Sequence, residues 1–522
     1  MLKIRLSHVI AAAVGAAILL TTTACSAQST QSTSKTLTLA VGHPLGELNP
    51  RVMAGDFPGL DLIFEPLIRY GRDGTLEPAL AAKWKVATDG LSATFDLRKN
   101  VVFTDGTPFD GAAAKWNFDQ WVGKADYSSI GASQFITGVN VTGPLQVTLT
   151  LSKPYSGLLQ ELSLVRPVRF SSPASVDSAG KFTGPIGTGP YSITRNDNQG
   201  ATFVPNKKYW GGTPKYDSLV WRIIDDSGSR SLALRAGEVD LIGGDWLSPI
   251  SPVEASQLAK ASGVKVVTEP GLNTLLLGFN ATTGPASESQ VRSAIASAID
   301  TKVVAKVYFR GYAKPATALY PPAIANSPTD TFATFDLAKA KSALQAAGWV
   351  GDKSGRTKAG AKLSMNLLVS DAVLPGSRLL SQQIQASLQE LGIAVQIQTV
   401  DSTTYFDRVS RGAYDLTFYQ TYGAPYDPLS TLTFLFDSAG DPSEGRIYAS
   451  DAIDAGIAAA RVAITPAETS AAYSSIYAAM KKDTAFVPLV WPSRIWATGA
   501  KLPNFSLAPT EYGLPLSTLV GK

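Results

Sequence analysis

LLSQQIQASLQELGIAVQIQTV, residues 379–400, carries two periodicities in one run. Leu379–Leu391 is amphipathic with helical spacing, which predicts a helix with one apolar face. Gly392 follows, a residue suited to the positive φ that ends a helix. Ala394–Val400 then alternates apolar and polar residues, which predicts a strand. A helix, a glycine and a strand in this order are the building unit of an α/β fold.

The same half of the chain repeats that grammar. Glu288–Ile299 sets Val291, Ala294, Ile295 and Ile299 on one face, and Leu337–Ala347 ends at Gly348. Asp451–Ala463 and Ala467–Lys482 predict further helices, and Val487–Trp491 a strand. Toward the N-terminus strands dominate: Thr36–Val41, Leu91–Leu97, Gln146–Leu151, the stretch around Phe203, Leu219–Ile224, Val264–Val267 and Thr274–Phe279. Ser229–Ala236 has helical spacing and ends at Gly237. The expectation is an α/β protein of two lobes with a cleft between them.

Composition narrows the function. The 522 residues hold 46 Lys+Arg against 42 Asp+Glu, so nothing points to nucleic acid. One Cys excludes an intrachain disulfide and a thiolate metal cluster. The two His, His8 and His43, exclude a His-rich metal site. No GxSxG elbow, HExxH or paired-carboxylate signature occurs, so an exported hydrolase has little to stand on.

The N-terminus reads as an export signal. Lys3 and Arg5 precede the apolar run VIAAAVGAAILL at residues 9–20, which falls short of the ~20 residues that span a bilayer. Thr21–Ala24 are small residues, and Cys25 stands directly after them. The pattern resembles a bacterial lipoprotein signal, with Thr22 where Leu is usual, and implies that Cys25 becomes the acylated first residue. Residues 26–36, SAQSTQSTSKT, read as a flexible tether. Signal 1–24 and lipidated tether 25–36 place the body on the extracytoplasmic face of the cell membrane.

Five motifs stand in the body. They are FEPLIRYGRDG (64–74), LSATFDLRKNVVFTDGTP (91–108), GTGPY (187–191), KYWGGTP (208–214) and AGEVDL (236–241). Asp73-Gly74 and Asp105-Gly106 read as hairpin turns, and Gly187 and Gly189 as close backbone approaches. Together and in this order they resemble the extracytoplasmic solute-binding proteins of peptide and nickel ABC importers. That resemblance covers residues 36–522 and implies a two-lobed type II periplasmic-binding-protein fold with a hinged cleft. It implies a first lobe at 37–271 with an inserted subdomain at about 66–186, a second lobe at 272–487, and a return at 488–522. It further implies a non-enzymatic monomer without cofactor, whose partners are a small solute and a permease.

Two segments narrow the resemblance. QELSLVRPVRFSSP (160–173) and TYGAPYDP (421–428) are similar to the nickel-chelate and opine-metallophore branch. The likeness implies that Arg166 meets a ligand carboxylate, and that Tyr422, Tyr426 and Tyr405 line the cleft. A guanidinium fork suits a carboxylate, and Tyr supplies flat walls with a polar tip. Asp427 is the acid that a peptide receptor would turn toward an amino terminus. Arg446 and His43 are further candidates. Residues 429–445 lack the His that the nickel branch places there, so His43 is the one possible His ligand and a metal would arrive already chelated. After Asn117-Phe118 the branch's Arg and Trp have no clean counterpart; Trp121, Lys124 and Tyr127 stand nearby. The expected function is a lipid-anchored importer receptor for a carboxylate-bearing metal chelate, with a di- or oligopeptide receptor as the alternative.

Overall fold

One strand, Phe486–Thr498, joins the two ends of the molecule. The computed structural model describes residues 35–521 except 53–56, 245–248, 330 and 440–445. The signal, Cys25 and most of the tether lie outside the described residues. The main sheet has twelve strands. In chain order they are β1 (Thr36–Val41), β2 (Tyr191–Asp197), β3 (Gly200–Pro205), β4 (Ser218–Ile223), β5 (Leu241–Gly243) and β6 (Lys265–Pro270). Then come β7 (Leu275–Phe279), β8 (Ala313–Pro315), β9 (Ser364–Val369), β10 (Ala394–Thr399), β11 (Leu416–Gln420) and β12 (Phe486–Thr498).

The spatial order is β10-β9-β11-β7-β12-β5-β1-β4-β3-β2, with β6 and β8 also on β12. Residues 486–490 of β12 run antiparallel to β7, and residues 493–498 run antiparallel to β6. The chain therefore crosses between the sheet's ends at 271–274 and again along β12. The crossings touch: Gly271 N donates to Pro492 O at 2.9 Å, and a Cβ at Gly271 would overlap that carbonyl. Sequence reading ended this last strand at Trp491, and Pro492 lacks a donor. The strand continues because Pro492 O is used instead, and the register slips between Leu275 and Leu276, opposite Pro488.

Local chemistry explains the elements. The helix Ser377–Gln389 buries Leu380, Ile384 and Leu388 at fourfold spacing. It begins two residues before the amphipathic stretch, behind Gly376 at φ 78°. Gly392 sits at φ 74°, where a Cβ would also overlap Asp352 O, so no other residue fits. Helix Pro466–Asp483 starts with a complete capping box, Thr465 with Glu468.

Apolar packing divides into separate cores. Leu37, Phe203, Trp221 and Trp496 belong to one, at the β1 end. Leu277, Ile295, Leu367 and Ile384 belong to another, at the β9 end. A third surrounds a four-stranded sheet of Ala81–Val86, Ser92–Leu97, Gln146–Leu151 and Ile136–Gly143. It runs on into helices Leu429–Phe436, Asp451–Val462 and Pro466–Asp483 without a break. The inserted sheet thus packs on the second half of the chain, bringing residues 155–170 against 421–436.

Candidate functional site

Two buried polar clusters lie side by side. The first centres on Glu65, which is fully buried. Its carboxylate accepts from Arg69 Nη2 (2.6 Å), Trp210 Nε1 (2.8 Å), Thr188 Oγ1 (2.9 Å) and Tyr209 OH (3.2 Å). These donors come from FEPLIRYGRDG, GTGPY and KYWGGTP, so three separated motifs meet on one carboxylate. Gly187 makes the approach possible, since a Cβ there would overlap Ile63 O. Burial, with the Glu65 charge beside it, pushes the Tyr209 phenol up to about 12. A buried carboxylate with this many donors is a structural joint.

The second cluster is built from 160–173, 421–428 and a C-terminal stretch, 510–515. Gln160 Nε2 donates to Pro425 O (2.8 Å) and Asp427 O (2.6 Å), tying the first two segments together. Arg166 is 1% exposed. Arg169 pairs with Asp61 at 2.9 Å; burial, only partly offset by Asp61, lowers its pKa. Both guanidinium groups act on Tyr426, whose phenol burial pushes up to about 12 while they pull it down. Tyr426 stands 4.8 Å from Tyr512 and 6.1 Å from Tyr422, ring centre to ring centre. Phe434 meets Tyr422 edge-on at 5.5 Å. The arrangement is a tyrosine wall with a cationic foot.

A cavity of about 470 Å³ opens beside it, lined by Arg69, Tyr70, Arg169, Pro425 and residues of 507–517. A larger one, about 670 Å³, lies beyond Phe434, between 125–161 and 430–462. Both sizes suit a small solute.

Asp427 is placed differently from its neighbours. It is 1% exposed, accepts from Gly423 N at 2.8 Å and from Thr431 Oγ1, and so holds its own loop from within. Burial raises its pKa to about 7 despite those bonds. Tyr405 is buried at a small cavity of about 40 Å³ with Ser370, Phe418 and Tyr419. Its OH donates to Phe418 O at 2.6 Å. His43 is exposed on the loop after β1, its Nδ1 3.4 Å from Pro44 O. Arg446 Nη1 donates to Ser438 O at 2.8 Å. Of the residues near the missing Arg and Trp, Trp121 is core, Tyr127 OH donates to Arg51 O, and Lys124 is exposed.

Sequence reasoning missed Tyr70, Glu511 and Tyr512. Glu511 is 5% exposed and lies against Gly423, where a Cβ would overlap its carboxylate. Tyr512 OH donates to Tyr422 O. The signal was TEYGLP at 510–515, an acid and an aromatic before a Gly-Leu-Pro turn, beyond the last recognised strand. Among the described residues, no group of three or more His, Cys, Asp or Glu is arranged to hold a metal ion.

The model of bacterial extracellular solute-binding proteins, family 5, matches residues 75–443. The chain belongs to that family. It is a solute-binding receptor of an ABC importer for metal chelates or peptides, and the family is non-enzymatic. This family 5 protein is 27% identical to the nickel-binding periplasmic protein of Escherichia coli over 91% of its own length and 92% of the relative's. It is 29% identical to the glutathione-binding protein GsiB of Salmonella paratyphi A, covering 85% and 86%. Its fold matches NikA of Brucella suis, solved in complex with Fe(III)-EDTA, with a TM-score of 0.86 and 30% identity. That match covers 93% of this chain and all of the other.

Proposed function

We propose that the chain is a lipid-anchored receptor that delivers a carboxylate-bearing metal chelate, of nickel or opine-metallophore type, to its permease. The observation that carries this is the pair of buried guanidinium groups, Arg166 and Arg169, that act on Tyr426 from the segment 160–173. A guanidinium is always charged, and its planar fork fits a carboxylate bidentately. Tyr422 and Tyr426 would supply flat walls for a chelate; Tyr405, His43 and Arg446 remain candidates from the family resemblance alone. The metal would be cargo. With one His in the body and one Cys at the anchor, it would bring its own donors. The names of the nickel-binding and Fe(III)-EDTA-bound relatives support this reading.

Cys25 would carry the lipid, each buried CH₂ adding ~0.8 kcal/mol of membrane affinity. The adjacent crossings at Gly271 and Pro492 would form the hinge between a first lobe ending near 271 and a second ending near 487.

A peptide solute is the second reading, supported by the glutathione-binding relative. Against it, Asp427 is already engaged by Gly423 N and Thr431.

Thermal shift separates the two. A ligand that binds only the native state adds about 2.7 kcal/mol at a hundred times its Kd. Nickel–histidine, opine-type chelates, free nickel and a peptide library are the probes. Stabilisation by chelates is expected; stabilisation by peptides alone would refute the chelate reading. Loss of membrane fractionation in Cys25→Ala tests the anchor.

A further inference from the structure

The cavity of about 670 Å³ beyond Phe434 keeps its acids and its cations in different states. Three described acids line it, Asp126, Glu161 and Asp437. Glu161 is 7% exposed, and its carboxylate accepts from Tyr155 OH (2.6 Å), Ala132 N (2.7 Å) and Gly131 N (3.3 Å). Asp437 is 4% exposed and accepts from Arg461 Nη2 (2.7 Å) and Ala439 N (3.0 Å). Both carboxylates are sealed and satisfied, and of the three only Asp126 is exposed. The two cations of the lining are open to solvent. Lys153 is exposed, and among the described residues its ammonium meets only the Phe135 ring, at 5.0 Å. Arg461 keeps 28% of its side chain exposed. Its Nη2 serves Asp437 and Thr433; among the described residues, its Nε and Nη1 have no hydrogen-bond partner. Ser156 draws the two cations together. Its N donates to Arg461 O (2.8 Å) and its Oγ to Ala460 O (2.7 Å), which lays the Lys153 loop on the end of helix Asp451–Val462.

We infer that this cavity is a subsite for a further carboxylate of the solute, held by Lys153 and Arg461. The inference rests on the chelate reading and deepens it. Phe434 joins the cavity to the tyrosine pair, since it lines the one and meets Tyr422 edge-on at 5.5 Å. The helix Leu158–Glu161 serves both regions, with Gln160 on the 421–428 loop and Glu161 at the cavity wall. A guanidinium edge with free N–H groups suits a carboxylate, and an ammonium adds a second charge at the same rim. With its buried acids already paired, the cavity presents a cationic face to a solute. A solute with several carboxylates, such as a chelator, gains from that face. A solute whose single carboxylate is held at Arg166 does not.

Titration calorimetry with Fe(III)-EDTA and Met-Leu tests the inference on wild-type protein, Lys153→Gln, Lys153→Arg and Lys260→Gln. Fe(III)-EDTA carries several carboxylates and Met-Leu a single one. Lys153→Gln is expected to weaken Fe(III)-EDTA about fivefold, the upper range for a solvent-accessible ion pair, and to leave Met-Leu unchanged. Lys153→Arg keeps the charge and is expected to bind Fe(III)-EDTA as wild type does. Lys260, an exposed cation outside the cavity lining, controls for net charge, and Lys260→Gln is expected to change neither affinity. Unchanged Fe(III)-EDTA affinity in Lys153→Gln, equal weakening in Lys260→Gln, or an equal loss in Lys153→Arg overturns the inference and leaves the chelate reading standing. Weakening of Met-Leu by the same factor does so too. Wild-type protein that binds Met-Leu alone overturns the inference together with the chelate reading. Wild-type protein that binds neither probe overturns the inference and both proposed ligand classes.

Discussion

Glu65 and Arg166 are both fully buried charges, yet their surroundings differ in kind. Glu65 is saturated by four donors drawn from three distant motifs. Arg166 acts on Tyr426, in a segment that shares no signature with those motifs. The residues that announce a family are those that close its scaffold, because a joint of several partners tolerates no change in any of them. Ligand residues answer to the solute, and their segments need only reach the same place.

The contrast is broken or sharpened by substitution. Glu65→Ala strands a half-buried Arg69 and three neutral donors. Loss of one partner of a buried ion pair costs about 3–5 kcal/mol. Urea unfolding should show that loss with ligand absent. A change below 1 kcal/mol would show that the motifs do not depend on this joint.

Asp427 supplies a pH test inside the second region. Its folded pKa of about 7 lies above the unfolded value near 3.9, so the fold prefers the neutral acid. The stabilisation is complete below pH 4 and is lost as pH rises through 7, a contribution of up to ~4 kcal/mol at 1.36 kcal/mol per pKa unit. The urea midpoint of wild-type protein should fall across that window more than that of Asp427→Asn. Parallel pH profiles would show that Asp427 is ionised throughout.

Gly423→Ala forces a positive φ on a residue with a Cβ and drives that atom into Glu511. Backbone strain of this kind costs about 1–3 kcal/mol. It should lower the melting temperature and disturb ligand affinity together; an unchanged melting temperature would mean that the 510–515 stretch moves freely. Tyr512→Phe removes one hydrogen bond, to Tyr422 O, worth about 0.5–1.5 kcal/mol. Its effect should be small in unfolding and should appear as a faster ligand off-rate in stopped flow.

Much of the architecture was legible in the sequence because it is local. The strand Thr36–Val41 and the helix ending before Gly392 follow from periodicity and terminal chemistry. The length of β12 was not, because its continuation past Pro492 depends on Gly271, more than two hundred residues away. At the candidate site, Arg166, Tyr422 and Tyr426 were proposed through segments with a recognisable pattern. Glu511 and Tyr512 were not, since an acid and an aromatic in a terminal loop mean nothing until the fold lays them on Gly423 and Tyr422. Asp427 was named a ligand contact from its type; its carboxylate accepts from Thr431 Oγ1 in the structure, a partner the sequence did not show.

The central claim is that Arg166 holds the solute's carboxylate while the Glu65 joint holds the scaffold. Calorimetric Kd values for the best chelate of the thermal-shift screen, measured on wild-type protein and Arg166→Ala, test it most directly. Truncating one partner of a buried charge pair weakens binding by about 2–5 kcal/mol, and that loss should exceed any loss in ligand-free stability. An unchanged Kd in Arg166→Ala would contradict the account and place the solute elsewhere in the molecule.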